Sequence, residues 1–255
     1  MNKYLLLSFV SFFLACGAKE GDTSAVSPKA DFAQDIVDKC IEKHGGAAFN
    51  ALTLAFDFRD RHYQGERNNG IFTYERFFTQ EDGIVLHDIL NNEGLTRKVN
   101  GEGVSLNAKD SAAYANSINS VFYFALLPYF LNDPAVRKTY LGETTLKGQP
   151  YHKIKVTFRQ EGGGKDFEDV FVYWIHSKDY TLDYLAYNYI VDGGGARFRE
   201  AYNIRTIEGI RFADYINYQP EPDSRAVETF DQMFEAGQMK ELSRIDTEHI
   251  EVSLK

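Results

Sequence analysis

Asn116-Ser-Ile-Asn-Ser-Val121-Phe-Tyr-Phe-Ala-Leu-Leu-Pro128-Tyr-Phe-Leu-Asn-Asp133 is the most hydrophobic stretch of the chain outside its N-terminus. No side chain from Val121 to Leu131 is charged, yet segments with Gly and Asn turns flank it on both sides. It therefore reads as an insert into a sheet. A run this short cannot cross a bilayer as a helix, which takes about 20 residues, so protein or ligand must cover it. Ser117 and Ser120 are possible helix caps, Pro128 ends or kinks that helix, and Asn132-Asp133-Pro134 opens a second short one.

On both sides of the insert the hydrophobic period is two. Upstream, Leu54, Phe56 and Phe58 alternate with Asp57, Arg59 and Arg61, the pattern of a half-buried strand. Gly70–Gln80 and Gly83–Leu90 meet at Asp82-Gly83, a hairpin signal, and Asn92-Glu93-Gly94 and Asn100–Gly103 bound two shorter strands. Downstream come Tyr140–Leu146, Tyr151–Arg159, Phe167–His176, Thr181–Asp192, Arg197–Glu208 and Ile210–Tyr218, and the tail adds a helix in Ala226–Met239 and a last strand in Leu242–Leu254. Ahead of the first strand, Asp31–His44 has the apolar stripe of an amphipathic helix, stopped by Gly45-Gly46. The expectation is a mainly antiparallel β fold of about eleven strands. With no long crossover and no Pro/Ser-rich linker, residues 31–255 form a single domain.

Two of these strands are apolar on both faces. Phe171, Tyr173 and Ile175 oppose Val170, Val172 and Trp174, and Leu185, Tyr187, Tyr189 and Val191 oppose Tyr184, Ala186 and Ile190. A sheet with one wet face would alternate, so these strands are covered twice. The predicted covers are the helix Asp31–His44 on one side and Val121–Leu131 on the other.

The N-terminus carries an address. Lys3, an apolar Tyr4–Ala15 and then Cys16 make a secretory signal, and the Ala15-Cys16 junction resembles a bacterial lipoprotein cleavage site at which Cys16 is acylated. An ordinary signal peptide with an incidental cysteine is the alternative. Residues 1–15 are then the signal peptide and 16–30 a flexible tether. Gly17, rather than Asp, after the cysteine fits outer-membrane sorting, on the periplasmic face or, through the acidic Glu20 and Asp22, at the cell surface. Cys40 is left as the sole thiol, on the apolar helix face with Ile36, Val37 and Ile41, and reads as buried and structural. With 28 basic against 37 acidic residues and a net charge of -9, nucleic acid is excluded as a partner, since phosphate binding needs a basic surface.

The order of signal, lipid cysteine, tether, helix and a meander with a helical insert resembles the Lol lipoprotein carrier superfamily. Four strings are similar to a family of uncharacterised lipoproteins in that neighbourhood: Phe56-Asp57-Phe58-Arg59, Leu127–Asp133, Asp183–Tyr187 and Gly193–Arg199. The resemblance spans nearly all of the mature chain. It implies a half-open, unclosed β-barrel whose concave face shelters acyl chains under inserted helices. A soluble carrier would lack Cys16, so the resemblance points to a membrane-anchored relative.

Local chemistry is sparse. The six histidines form no His-x-His or His-Glu-x-x-His pair, Asp166, Glu168 and Asp169 lack calcium-loop spacing, and no Gly-x-Ser-x-Gly elbow occurs. No metal or other cofactor is expected. What stands out is arginine among aromatics: Arg59, Arg76, Arg97, Arg197, Arg199 and Arg205. They either occupy the wet face of alternating strands, or one or two of them meet an anionic headgroup by bidentate hydrogen bonds. Arg76 draws the choice, because Phe72, Tyr74 and Phe78 share its strand parity. The expected site has Tyr123, Phe124, Leu127 and Tyr129 as lid, Trp174, Tyr187 and Tyr189 as pocket wall, and Arg76 at the polar end. The expected function is non-covalent binding of a lipid or acyl chain by a monomeric, non-enzymatic lipoprotein. A solid-cored interaction lipoprotein and a hydrolase with a scattered triad are the two alternatives.

Overall fold

The computed structural model describes residues 28–161, 168–190 and 193–255. The expected signal peptide, the tether up to Ser27 with Cys16, and Asp166 lie outside them, while residues 28–30, expected as the end of the tether, belong to the first helix. Helix α1 (Pro28–His44) leads into six strands, β1 (Ala51–Phe58), β2 (Arg61–Asn68), β3 (Ile71–Thr79), β4 (Val85–Asn91), β5 (Gly94–Val99) and β6 (Glu102–Val104). Helix α2 (Ala108–Ala125) follows, with a 3-10 turn at Tyr129–Asn132. Next come β7 (Val136–Leu146), β8 (Gln149–Phe158), β9 (Phe171–His176), β10 (Leu182–Tyr189), β11 (Gly195–Ile207) and β12 (Ile210–Pro220). A short helix α3 (Phe230–Glu235), β13 (Met239–Ile245) and β14 (Glu248–Leu254) complete the chain.

The strands form two seven-stranded antiparallel sheets. The first runs β14-β1-β2-β3-β4-β5-β6 and the second β13-β12-β11-β10-β9-β8-β7. The meander therefore breaks once, at α2, and its two halves rejoin through the short link between β13 and β14. That corner is tied by Asp214: its carboxylate accepts from Arg205 at 2.7 and 2.8 Å, from Asn203 at 2.6 Å and from the Thr247 amide at 2.9 Å. At the other ends β6 and β7 do not pair, so the barrel is unclosed, as expected.

Among the described residues fourteen strands replace the expected eleven or so, because the chain reverses where no Gly or Asn-Gly marks a turn. The first strand ends at Phe58, and Arg59, at φ 57°, turns the chain into β2. The predicted last strand divides around Asp246 and Thr247 into β13 and β14, which belong to different sheets. The second helix expected at Asn132-Asp133-Pro134 is absent, and β7 begins at Val136 instead. The helix before it starts at Ala108 and is capped by Asn107, not by Ser117 or Ser120: the Asn107 side chain accepts from the Asp110 amide at 2.9 Å.

Helix α1 buries Ala33, Ile36, Val37 and Cys40 completely, the i, i+3, i+4, i+7 stripe of an amphipathic helix. They pack on Ile154, Tyr173, Ile175 and Leu185 of the second sheet, each large aliphatic side chain contributing about 1.5–3 kcal/mol by burial. The helix stops at Gly45 and Gly46, whose φ values of 148° and 53° suit glycine far better than a side-chain-bearing residue.

The two-faced strands are covered as expected on one side and differently on the other. Phe171, Tyr173 and Ile175 face α1, and Leu127 and Leu131 join them on that same side. The opposite face, with Val172, Trp174, Ala186 and Phe198, is closed by Val227 and Phe230 from the C-terminal segment. Charge clamps that segment in place: Lys153 reaches Asp231 at 2.9 and 3.0 Å, and Lys155 reaches Glu228 at 2.6 Å. The insert thus covers the concave side together with α1, and the tail helix covers the convex side.

Candidate functional site

The hydrophobic insert is divided between the two sheets. Ile118, Phe122 and Leu126 of α2 and its end are buried against the first sheet, where Phe56, Tyr63 and Tyr74 receive them. Phe122 stacks on Tyr74 with centroids 3.9 Å apart and planes 6° apart. Gly65 makes room for that ring: a Cβ there would stand 2.6 Å from Phe122 Cε1. Beside this contact Arg76 donates to Ser117 Oγ at 3.0 Å, and Arg97 lies 3.7 Å over the Tyr114 ring. Helix α2 is therefore fixed to the first sheet.

Its other flank leans toward the second sheet without filling the space. Between them is a cavity of about 530 Å³, within the usual range for small-molecule sites. Phe56, Phe58 and Arg59 wall it from the first sheet, Ser120, Val121, Tyr123 and Phe124 from α2, and Phe158, Phe171, Tyr187, Tyr189, Arg197, Arg199 and Tyr215 from the second. Phe and Tyr rings are the largest group in the wall, and its charged residues are three arginines and Asp169.

Hydrogen bonds and stacking join the lid to the far wall at two points. The Tyr123 and Tyr173 hydroxyls are 2.8 Å apart, and burial pushes both phenols well above their ordinary value, so both stay protonated. The Phe124 ring lies 4.0 Å under the Arg199 guanidinium. Tyr215 on the cavity floor is pushed up to about 12, chiefly by burial, and stays a neutral phenol too.

Among the described residues two buried arginines lack a carboxylate within salt-bridge distance, Arg67 and Arg199, but Arg67 gives its Nε–H to the Phe49 carbonyl at 3.3 Å and does not line the cavity. Arg199 is 8% exposed, and its hydrogen bond to protein is Nη2–H to Tyr187 Oη at 2.8 Å. Its Nε–H is buried with no acceptor. Among the described residues no carboxylate lies within salt-bridge distance of it, whereas Arg76, Arg97, Arg205 and Arg211 each have one.

The structure brings together Tyr123, Phe124, Tyr187 and Tyr189 around the cavity. The other expected site residues stand elsewhere. Leu127 is packed into the α1 core. Tyr129 donates to Asn50 at 3.0 Å and stacks with Arg67 on the first sheet. Trp174 is on the convex face, sealed beneath the C-terminal segment, because its parity on β9 is opposite to that of Tyr173. Arg76 lies under α2, paired with Asp88 at 2.6 Å, and does not line the cavity. Burial pushes the Asp88 carboxyl up, but its hydrogen bonds to Arg97 and Arg76 hold it below the ordinary carboxylate range, so this cluster is a closed ion-pair set. Arg199 and Arg197 alternate with the buried Ala196 and Phe198 along β11, the pattern of a wet face, which hid their concave placement. Only the covering of that face by α2 distinguishes the two readings.

A second depression, of about 460 Å³, opens beside the β13–β14 corner. Arg205 and Asp214 there satisfy each other. The cavity under α2 differs in having a buried cation, Arg199, with no carboxylate partner among the described residues.

The chain belongs to the DUF6503 family, a family of unknown function whose model matches residues 9–247. No curated protein matches it. Solved structures similar to it include a LolA superfamily protein from Nitrosomonas europaea, at 10% identity over 88% of this chain and 93% of that one with a TM-score of 0.49. A DUF1329 family protein from Desulfovibrio piger is similar at 11% identity over the same shares, 88% and 93%, with a TM-score of 0.47.

Proposed function

We propose that this protein binds one elongated apolar or amphipathic molecule, a lipid or the acyl chain of a lipoprotein, non-covalently between α2 and the concave face of the second sheet, while Cys16 anchors it to the outer membrane. The observation that carries the reading is the unfilled space of about 530 Å³, lined by aromatic rings from both sheets, between α2 and the second sheet. A protein that needed only stability would gain by filling such a void, since lining atoms that face empty space lose their packing contacts. Binding would draw on apolar burial, about 25 cal/mol per Å². The described wall residues include no cysteine, histidine or lysine, which favours binding over turnover.

The test is native mass spectrometry of the full chain carrying Cys16→Ser, purified without detergent and paired with solvent extraction. A co-purifying lipid, or uptake of an added long-chain lipid at one per chain, is the expected result. A chain that carries and accepts none supports the solid-cored interaction protein instead.

A further inference from the structure

Proposing a ligand for the cavity leaves its polar end unassigned, and the arginine expected there, Arg76, is closed off by Asp88. We infer that the ligand is an amphiphile with an anionic headgroup, and that Arg199 is the residue that binds that group. This deepens the lipid-binding reading and rests on it.

Three observations converge on Arg199. Its guanidinium lines the cavity and is more than nine-tenths buried. It donates to the Tyr187 hydroxyl, and its Nε–H meets no acceptor among the described residues. No carboxylate among the described residues balances its charge. A buried arginine cannot shed its proton, and a buried charge is tolerated when it is paired, so an anion in the cavity would complete this arrangement.

The geometry also says how the anion would be met. A guanidinium presents its N–H groups as a planar fork that matches two oxygens of one carboxylate or phosphate. The Arg199 plane is already set by Phe124 at 4.0 Å and Tyr187 at 5.0 Å, which reduces the side-chain freedom lost on binding. Arg197, over the Tyr189 ring at 5.4 Å, and Arg59 add positive charge to the same wall. The chain as a whole carries -9, whereas the described wall holds three arginines and one carboxylate, Asp169. Aromatic wall and arginine together fit a tail and a charged head, not a neutral hydrocarbon.

The test compares palmitate with methyl palmitate, which keeps the chain and removes the charge, and with inorganic phosphate, on the full chain carrying Cys16→Ser. Isothermal calorimetry should give palmitate at least about tenfold tighter than its ester, the scale of one hydrogen-bonded charge, and no heat from phosphate alone. In Arg199→Gln the acid-to-ester ratio should fall toward one, and Arg199→Lys should restore part of it. Equal affinities for acid and ester in the wild-type chain would overturn the headgroup assignment and leave lipid binding standing. Tight binding of free phosphate would overturn the amphiphile and keep the anion site. If neither acid nor ester bound, the lipid-binding reading would fall and this inference with it. The wild-type comparison stands even if the variants fail to fold.

Discussion

Arg76 and Arg199 approach α2 from opposite sheets, both nearly inaccessible to water, and they are held in opposite ways. Arg76 shares Asp88 with Arg97 and ties Ser117 down, so charge, hydrogen bonds and packing close on one another. Arg199 has a phenol, two aromatic faces and an unpaired N–H. The first arrangement fixes the helix to the sheet. The second leaves an electrostatic demand that the fold itself does not meet. The contrast teaches that burial alone does not mark a functional arginine; what marks it is a buried N–H at a cavity that no described residue accepts, which separates Arg199 from the equally buried Arg67 too.

The largest effect expected is at the closed cluster. Asp88→Ala leaves Arg76 and Arg97 buried and facing each other, and should cost about 3–5 kcal/mol in chemical denaturation. A loss under about 1 kcal/mol would show the cluster to be solvated and would break the contrast. Acid should act on the same bond. The Asp88 carboxyl titrates below its unfolded value, so its contribution is present above the ordinary carboxylate range and is lost as pH falls through the folded value.

His44 offers an intermediate case, a buried base kept neutral. Burial first, and then Arg211, push it from 6.5 down to about 4, while its bond to the Cys40 carbonyl pulls the other way. The unfolded chain therefore binds a proton that the folded chain refuses between those values. Stability should fall by about 3 kcal/mol as pH drops from 6.5 to 4, and His44→Gln should flatten that part of the profile in pH-resolved urea titrations.

Gly65→Ala examines the fixed side of α2 without touching charge. Its Cβ would push on Phe122, which is held against Tyr74, and the expected loss is about 1–3 kcal/mol, seen as a lower thermal midpoint. The smallest shift should come from Arg199→Met. It removes an unpaired buried charge at the loss of one hydrogen bond and two stacking contacts, so the ligand-free protein should stay within about 1 kcal/mol of wild type or become more stable. A loss as large as that of Asp88→Ala would mean that Arg199 is structural after all.

Much of this architecture was legible in the chain because it depends on local periodicity. The stripe Ala33, Ile36, Val37, Cys40 gives α1, alternation gives most strands, and the two-sided apolar strands β9 and β10 announce a double cover. Reversals at Arg59-Asp60 and Asp246-Thr247 were hidden because ordinary residues make them. The lid is partly legible: Tyr123 and Phe124 face the cavity, while Leu127 and Tyr129 were indistinguishable from them by composition and are packed into separate contacts. Trp174 was misplaced by one step of parity, since a strand apolar on both faces does not say which face is concave.

The sequence by itself determined that a curved antiparallel sheet carries a hydrophobic insert and that arginines run among its aromatics, because period and composition are local properties. Which arginine has a carboxylate was decided only in three dimensions. Asp88 and Arg76 meet across neighbouring strands, whereas Arg199 pairs in register with Leu185 and faces Phe124 from 75 residues earlier in the chain. Charge compensation depends on distances of a few ångströms between residues far apart in sequence, and those distances are set by how α2 lies between the sheets.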